Sequence, residues 1–156
     1  MNVLIRPASD GDLAALATLE AASFSVPWNE AALAGHLRAS YTLSLLLLEE
    51  DRPVGYLLAG FSPPEGELYR VAVLPEARRR GYGRRLLEAF FREAFFREAE
   101  KRDVYSLYLE VRESNEAAIA LYRCAGFRPV FLRENYYREP TEAALVMSIG
   151  RPKETT

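Results

Sequence analysis

Apolar positions along the chain alternate in short runs at first, then recur at helical spacing, and the changes of period mark the elements. Val3 to Arg6 reads as a strand. Ser9 with Asp12 three residues on has the form of a capping box, ahead of an amphipathic helix carrying Leu13, Leu16 and Leu19. Phe24-Ser25-Val26-Pro27-Trp28 breaks that helix, and Asn29 can cap a second, short one to about Arg38. Tyr41–Leu48 and Val54–Phe61 are apolar runs either side of a charged turn, which predicts a hairpin. After the turn Ser62–Gly66, Glu67–Leu74 forms a further strand, stopped by Pro75. A long helix from about Gly81 to Lys101 and a strand Val104–Val111 follow. Ser114 then caps a helix to Cys124 closed by Gly126, and Phe127–Leu132 and Ala143–Ile149 are the closing strands. The order predicts one α/β (α+β) domain over residues 1–150, with a mixed, mostly antiparallel sheet of about six or seven strands and about four helices. Residues 151–156 read as a frayed tail. Phe-Phe-Arg-Glu-Ala occurs at 90–94 and again at 95–99; five helical residues rotate the face by roughly 140°, so the duplication reads as a local lengthening.

Composition narrows the function classes. A net charge of -2 supplies no global basic field, so nucleic acid is not an expected partner. Cys124 is the only cysteine, which excludes an internal disulfide and a cysteine-rich zinc site, and no metal is expected. No apolar stretch approaches a membrane span, so the expectation is a cytoplasmic protein without a membrane partner. Monomer and weak homodimer are equally compatible with the surface charge.

The positive charge that is present gathers in Val71-Ala72-Val73-Leu74-Pro75-Glu76-Ala77-Arg78-Arg79-Arg80-Gly81-Tyr82-Gly83-Arg84. Here a strand ends, two glycines stand at alternate positions and a helix begins. Glycine lets backbone approach a ligand closely, and the unpaired N–H groups of a helix's first turn favour a phosphate or pyrophosphate. Arg78, Arg79, Arg80 and Arg84 would supplement them. The arginines alone would be an ordinary solvated helix start; the strand and the glycines shift the balance to pyrophosphate binding. No glycine is followed by Lys-Ser or Lys-Thr, so this is not a P-loop.

A second segment is Leu109-Glu110-Val111-Arg112-Glu113-Ser114-Asn115, followed at Tyr122 by an aromatic on the next helix. Glu110 interrupts an apolar strand near its C-terminal end, where a carboxylate can have its pKa raised and serve as general base. A salt bridge to an arginine is the competing role. Tyr122 is a core aromatic on its own terms, or a proton donor if its hydroxyl faces the sheet opening. Cys124, at a helix C-terminus where the dipole disfavours a thiolate, reads as a buried structural thiol and not an acyl carrier. His36 has no catalytic company in the sequence.

Arg78-x-x-Gly81-x-Gly83 resembles the acetyl-CoA motif of the GNAT superfamily. The run from Leu109 to Tyr122 with Gly126-Phe127, Asn135-Tyr136-Tyr137, and Phe24 with Pro27-Trp28 resemble the bacterial ribosomal-protein-alanine N-acetyltransferases (the RimI group) across most of the chain. The resemblance implies a GNAT fold, splayed between strands 67–74 and 104–111, and acetyl-CoA as cofactor. It implies that the turn Arg78–Arg84 holds the pyrophosphate, Tyr82 included, and that Val71, Ala72 and Val73 meet the pantetheine arm and thioester carbonyl. Asn115 would contact the cofactor, Glu110 would be the base and Tyr122 the acid. Trp28, Tyr136 and Tyr137, in loops that flank the groove, would receive a protein N-terminus, in this group that of a ribosomal protein. Aromatics there could also merely pack together.

Three features depart from that group: Arg70 before the cofactor strand, where a positive side chain could select an acidic peptide; the duplicated Phe-Phe-Arg-Glu-Ala; and Pro63-Pro64. They leave acetyl transfer intact and open the acceptor. The alternatives are a small amine, a lysine side chain, or a non-catalytic acetyl-CoA sensor, which would need neither Glu110 nor Tyr122.

Overall fold

The strands are β1 (Val3–Pro7), β2 (Thr42–Glu49), β3 (Arg52–Ser62), β4 (Glu65–Val73), β5 (Ser106–Arg112), β6 (Arg128–Tyr137) and β7 (Glu142–Gly150). In the computed structural model, which describes residues 2–96 and 103–151, they form one sheet in the order β1-β2-β3-β4-β5-β7-β6. The helices are α1 (Leu13–Ser23), α2 (Glu30–Arg38), α3 (Tyr82–Phe91) and α4 (Glu116–Ala125). The chain divides into two compact units: residues up to Gly60 with Tyr69–Phe91, and Phe61–Leu68 with the chain from Arg92 onward.

In the first unit β2 is buried from Leu43 to Leu48, because both faces of the strand are covered. Leu16, Leu19 and Leu33 of the first two helices pack with Leu46, Leu48, Tyr56 and Leu58 in one apolar cluster. Gly55, paired with Leu47, turns to the opposite face, where a Cβ would meet Leu86 of α3 at 3.5 Å. Before α1, Asp12 accepts the Ser9 N–H at 2.9 Å and takes the Arg6 guanidinium through two bonds of 2.8 and 2.9 Å.

In the second unit β5 pairs antiparallel with β7 from Ser106↔Gly150 to Arg112↔Ala144. On its other side it runs parallel to β4, and that ladder stops at Leu68↔Leu109 although β4 continues to Val73 and β5 to Arg112. Gly126 closes α4 at φ 111°, in the left-handed region, and an added Cβ would stand 2.9 Å from Ile149 Cδ1.

Four expectations are revised. Asn115 and not Ser114 caps α4, accepting the Ala118 N–H at 3.2 Å, while the Ser114 N–H donates to Glu142 at 2.6 Å. Among the described residues, the helix expected to Lys101 is α-helical from Tyr82 to Phe91 and continues as a π turn, Arg92–Phe96, with the rest of the expected span outside the described residues. The second copy of the duplicated pentapeptide begins inside that turn, and its part from 97 lies outside the described residues. An i→i+5 turn brings residues five apart back toward one line, and both Phe90 and Phe95 are buried. Asn135–Tyr137 is not a loop but the end of β6, with irregular pairing between Arg133 and Tyr137 and Asn135 at φ 55°. Finally, Arg151 is held: its N–H donates to Tyr105 O at 2.7 Å and its guanidinium reaches Phe95 O. Residues 152–156 lie outside the described residues.

Candidate active site

The arginine–glycine turn is built as a strand-to-helix junction. Arg79 and Gly81 both take positive φ, 65° and 76°, which folds the backbone back on itself before α3. The first α-helical bond runs from Arg85 N–H to Gly81 O at 3.1 Å, so the N–H groups of Tyr82, Gly83 and Arg84 have no intrahelical acceptor. Three of the four arginines are engaged. Arg78 Nε donates to Val73 O at 3.0 Å; Arg84 reaches Glu88 one turn along the helix; Arg80 and the Tyr82 hydroxyl both bond one oxygen of Glu49. These two donors hold the Glu49 carboxyl below the usual carboxylate range.

Val71, Ala72 and Val73 end β4. Leu74 N–H bonds Val54 O at 2.8 Å, so by strand alternation Leu74 and Ala72 direct their peptide groups toward β3. Val71 and Val73 direct theirs to the other side, beyond the point where the β5 ladder has stopped. Arg78 occupies the Val73 carbonyl; the N–H groups of Val71 and Val73 are donors a carbonyl oxygen can use.

In the second unit Glu110 is half-buried on β5 and paired with Arg133 at 3.3 Å, and the proximity of Glu110 pushes the Tyr136 phenol upward. The arginine salt bridge considered for this residue is present. Glu67, opposite Tyr108 in the parallel register, has its carboxyl raised first by burial and then by the charge of Glu110. Tyr122 is buried on α4 with the Phe127 ring 5.9 Å away, and burial pushes its phenol well above the ordinary range. Tyr137 packs edge-on to Tyr136 at 5.1 Å, and the Arg112 guanidinium lies 4.6 Å from its centroid. Asn115 commits its carbonyl oxygen to the α4 cap. Cys124 is exposed, not buried, because it lies on the outer face of α4. His36 is buried and structural: its Nε2 lies 3.2 Å from Leu43 O, and burial holds its pKa down. Among the described residues no group of three or more His, Cys, Asp or Glu side chains is arranged to hold a metal ion, and no helix is long and apolar enough to cross a membrane.

Trp28 lies in a side-chain cluster of the first unit. Its ring is 5.7 Å from His36 and 6.0 Å from Tyr69. Sequence reasoning missed the residue beneath it. Glu20, fully buried, accepts the Trp28 N–H at 2.7 Å and the Tyr56 hydroxyl at 2.6 Å. Its position was visible as a carboxylate on the Leu16–Leu19 stripe of α1, one residue after Leu19.

Residues 13–127 match the acetyltransferase (GNAT) family, across most of the chain. The chain belongs to the GNAT acetyltransferases. It is an acetyl-CoA-dependent N-acetyltransferase. The [ribosomal protein bS18]-alanine N-acetyltransferase of Salmonella typhimurium is 39% identical over 145 residues, which are 90% of this chain and 93% of that one. The enzyme of the same description from Escherichia coli K12 is 36% identical over 140 residues, 88% and 90% of the two chains. Among solved structures, the ribosomal-protein-S18-alanine N-acetyltransferase from Escherichia coli superposes with a TM-score of 0.86 at 32% identity, covering 99% of this chain and 97% of the other. Arabidopsis thaliana Naa50 in complex with the bisubstrate analogue CoA-Ac-MVNAL gives 0.81 at 25% identity, covering 96% and 99%. For a GNAT member the donor set of the turn fits the anionic cofactor: three first-turn N–H groups at a left-handed junction, flanked by arginines.

Proposed function

We propose that this GNAT acetyltransferase transfers acetyl to the α-amino group of a protein N-terminus, of the ribosomal-protein-alanine type, in the cytoplasm. The observation that carries the acceptor assignment is the likeness, over nine-tenths of the chain, to [ribosomal protein bS18]-alanine N-acetyltransferases. In this reading residues 1–150 act as one catalytic domain, as a monomer or weak homodimer.

Bound at the turn Arg78–Arg84, acetyl-CoA supplies an activated acyl group; the chain supplies orientation and proton transfer. Asn115 would add a cofactor contact through its amide N–H₂, since its carbonyl oxygen is committed to the cap. Glu110 takes the proton from the acceptor ammonium, directly or through a water, and exposes the nitrogen lone pair. A backbone N–H of Val71 or Val73 meets the oxyanion that develops on the attacked carbonyl. Tyr122 gives its proton to the leaving thiolate; the upward push on its phenol supports a group that stays protonated until then. Trp28, Tyr136 and Tyr137 line the acceptor, and the upward push that Glu110 exerts on the Tyr136 phenol supports a place for Tyr136 beside the base.

Two peptides incubated with acetyl-CoA and weighed by mass spectrometry test this. One carries a free N-terminal alanine and no lysine; the other is N-blocked with an internal lysine. A gain of one acetyl group on the first alone is the expected result. A gain on the second alone makes the enzyme a lysine acetyltransferase, and no gain on either moves the acceptor to a small amine.

A further inference from the structure

We propose that Glu20 and Arg70 are positioning residues that hold the acceptor loop Phe24–Trp28 in a preformed shape, and that Arg70 is therefore not a selector of acidic peptides. The proposal rests on the acceptor role given to Trp28 above.

Glu20 and Arg70 hold three alternate residues of the loop. Glu20 Oε2 takes the Trp28 N–H at 2.7 Å. Arg70 donates to Val26 O at 3.1 Å, and its guanidinium lies 4.0 Å from the centroid of the Phe24 ring and 5.8 Å from that of Trp28. The two side chains face each other, with Arg70 Nε 3.2 Å from Glu20 Oε1. That nitrogen is buried and off the hydrogen-bond axis, so the pair attracts by charge while the outer nitrogen serves Val26. Tyr56 anchors the arrangement from β3: its hydroxyl donates to Glu20 at 2.6 Å, and burial with Glu20 beside it pushes the phenol far above its ordinary range, so it stays a donor. The Phe24 and Trp28 side chains are thereby held partly buried and the Val26 carbonyl is tied down, while the side chains of Ser25, Val26 and Pro27 are left exposed.

The charge of Arg70 is spent in this arrangement. Its side chain is 21% exposed and its partner is a fully buried carboxylate, so an acidic peptide would have to compete with a contact already made and desolvated. A loop fixed before the acceptor arrives saves the ordering cost of binding. Loosening it should raise the acceptor KM and leave cofactor binding in place.

Trp28 is the only tryptophan, so its emission reports this loop alone. The experiment compares wild type with Arg70→Met, Glu20→Gln and the double variant. Acrylamide quenching of Trp28, acetyl-CoA affinity by calorimetry, and steady-state turnover of the alanine-terminated peptide are measured on each. Both single variants should quench more readily and raise the peptide KM about tenfold, with kcat and acetyl-CoA Kd within about twofold. The double variant should lose no more than the worse single one, as expected of residues acting as a unit. Arg70→Lys keeps the charge, gives up the planar stack and the second donor, and should fall between, which covers the case where Arg70→Met does not fold. Unchanged KM and quenching would overturn the proposal, as would an acetyl-CoA Kd that rises in step with KM. A wild-type protein inactive on the peptide would defeat the acceptor assignment instead; quenching then decides the loop-holding role alone, and its failure to rise in Arg70→Met would sink it.

Discussion

Glu110 pairs with Arg133 and lies near Tyr136, and both neighbours bear on the base role proposed for it. In the proposed role an incoming ammonium would compete with the guanidinium for the carboxylate. Glu110→Gln keeps the shape and removes the proton acceptor, so kcat should fall about 10²–10⁴-fold with little change in acetyl-CoA Kd. Tyr122→Phe keeps the packing against Phe127 and removes the donor; a loss of about 10²-fold in kcat is expected. Steady-state kinetics beside calorimetry measure both. A Tyr122→Phe enzyme with full kcat would return that residue to the core role its sequence position first suggested.

At the level of elements, the start of α1 shows which features were legible. Ser9 and Asp12 stand out by spacing alone, and the Ser9 N–H does bond Asp12; Arg6 did not, because its bidentate bond depends on where β1 ends. That bond, with the Ser9 N–H, lowers Asp12 from its ordinary 3.8 to about 2. A depressed carboxyl stabilises the fold above its unfolded pKa and loses that contribution as pH falls through the folded one. Thermal stability should therefore drop between about pH 4 and pH 2, and Asp12→Asn should flatten that limb while costing about 1 kcal/mol at neutral pH. Melting curves across that range measure it. Most strands, as in the continuous apolar run Leu43–Leu48 and the alternating Leu107–Val111, were legible almost to their ends, but β6 runs on to Tyr137, past the expected Leu132. Irregularities were not legible. The π turn at Arg92–Phe96 and the positive φ at Asn135 answer to tertiary packing, which local pattern does not carry.

For the molecule as a whole, the seven strands in one mixed sheet agree with the sheet of about six or seven strands that was expected. The order of those strands was not predicted, and the early end of the β4–β5 ladder falls between the two strands that the family resemblance singled out. The residues proposed for proton transfer were singled out by type, while the side chains around the candidate site were not: Arg133, Glu67 and Glu20 reach their places through strand register and helix phase. A cofactor that binds only the folded chain must stabilise it. Acetyl-CoA at one hundred times its Kd should add about 2.7 kcal/mol and raise the melting temperature by about 5–10 °C in a scanning fluorimetry experiment. Acetate at the same concentration should leave it unchanged.

Where β4 outruns its neighbour, the peptide groups of Val71 and Val73 point away from the β3 side, and this gives the strand an uneven clock. Amide protons locked in a ladder exchange with deuterated solvent only when the structure opens; those outside it exchange far sooner. Within one short strand, Val71 and Val73 should therefore take up deuterium early while Ala72 and Leu74 lag. Coenzyme A lying along the strand would slow the early pair, so the exchange pattern of this one segment reports cofactor occupancy in a protein that is not turning over at all.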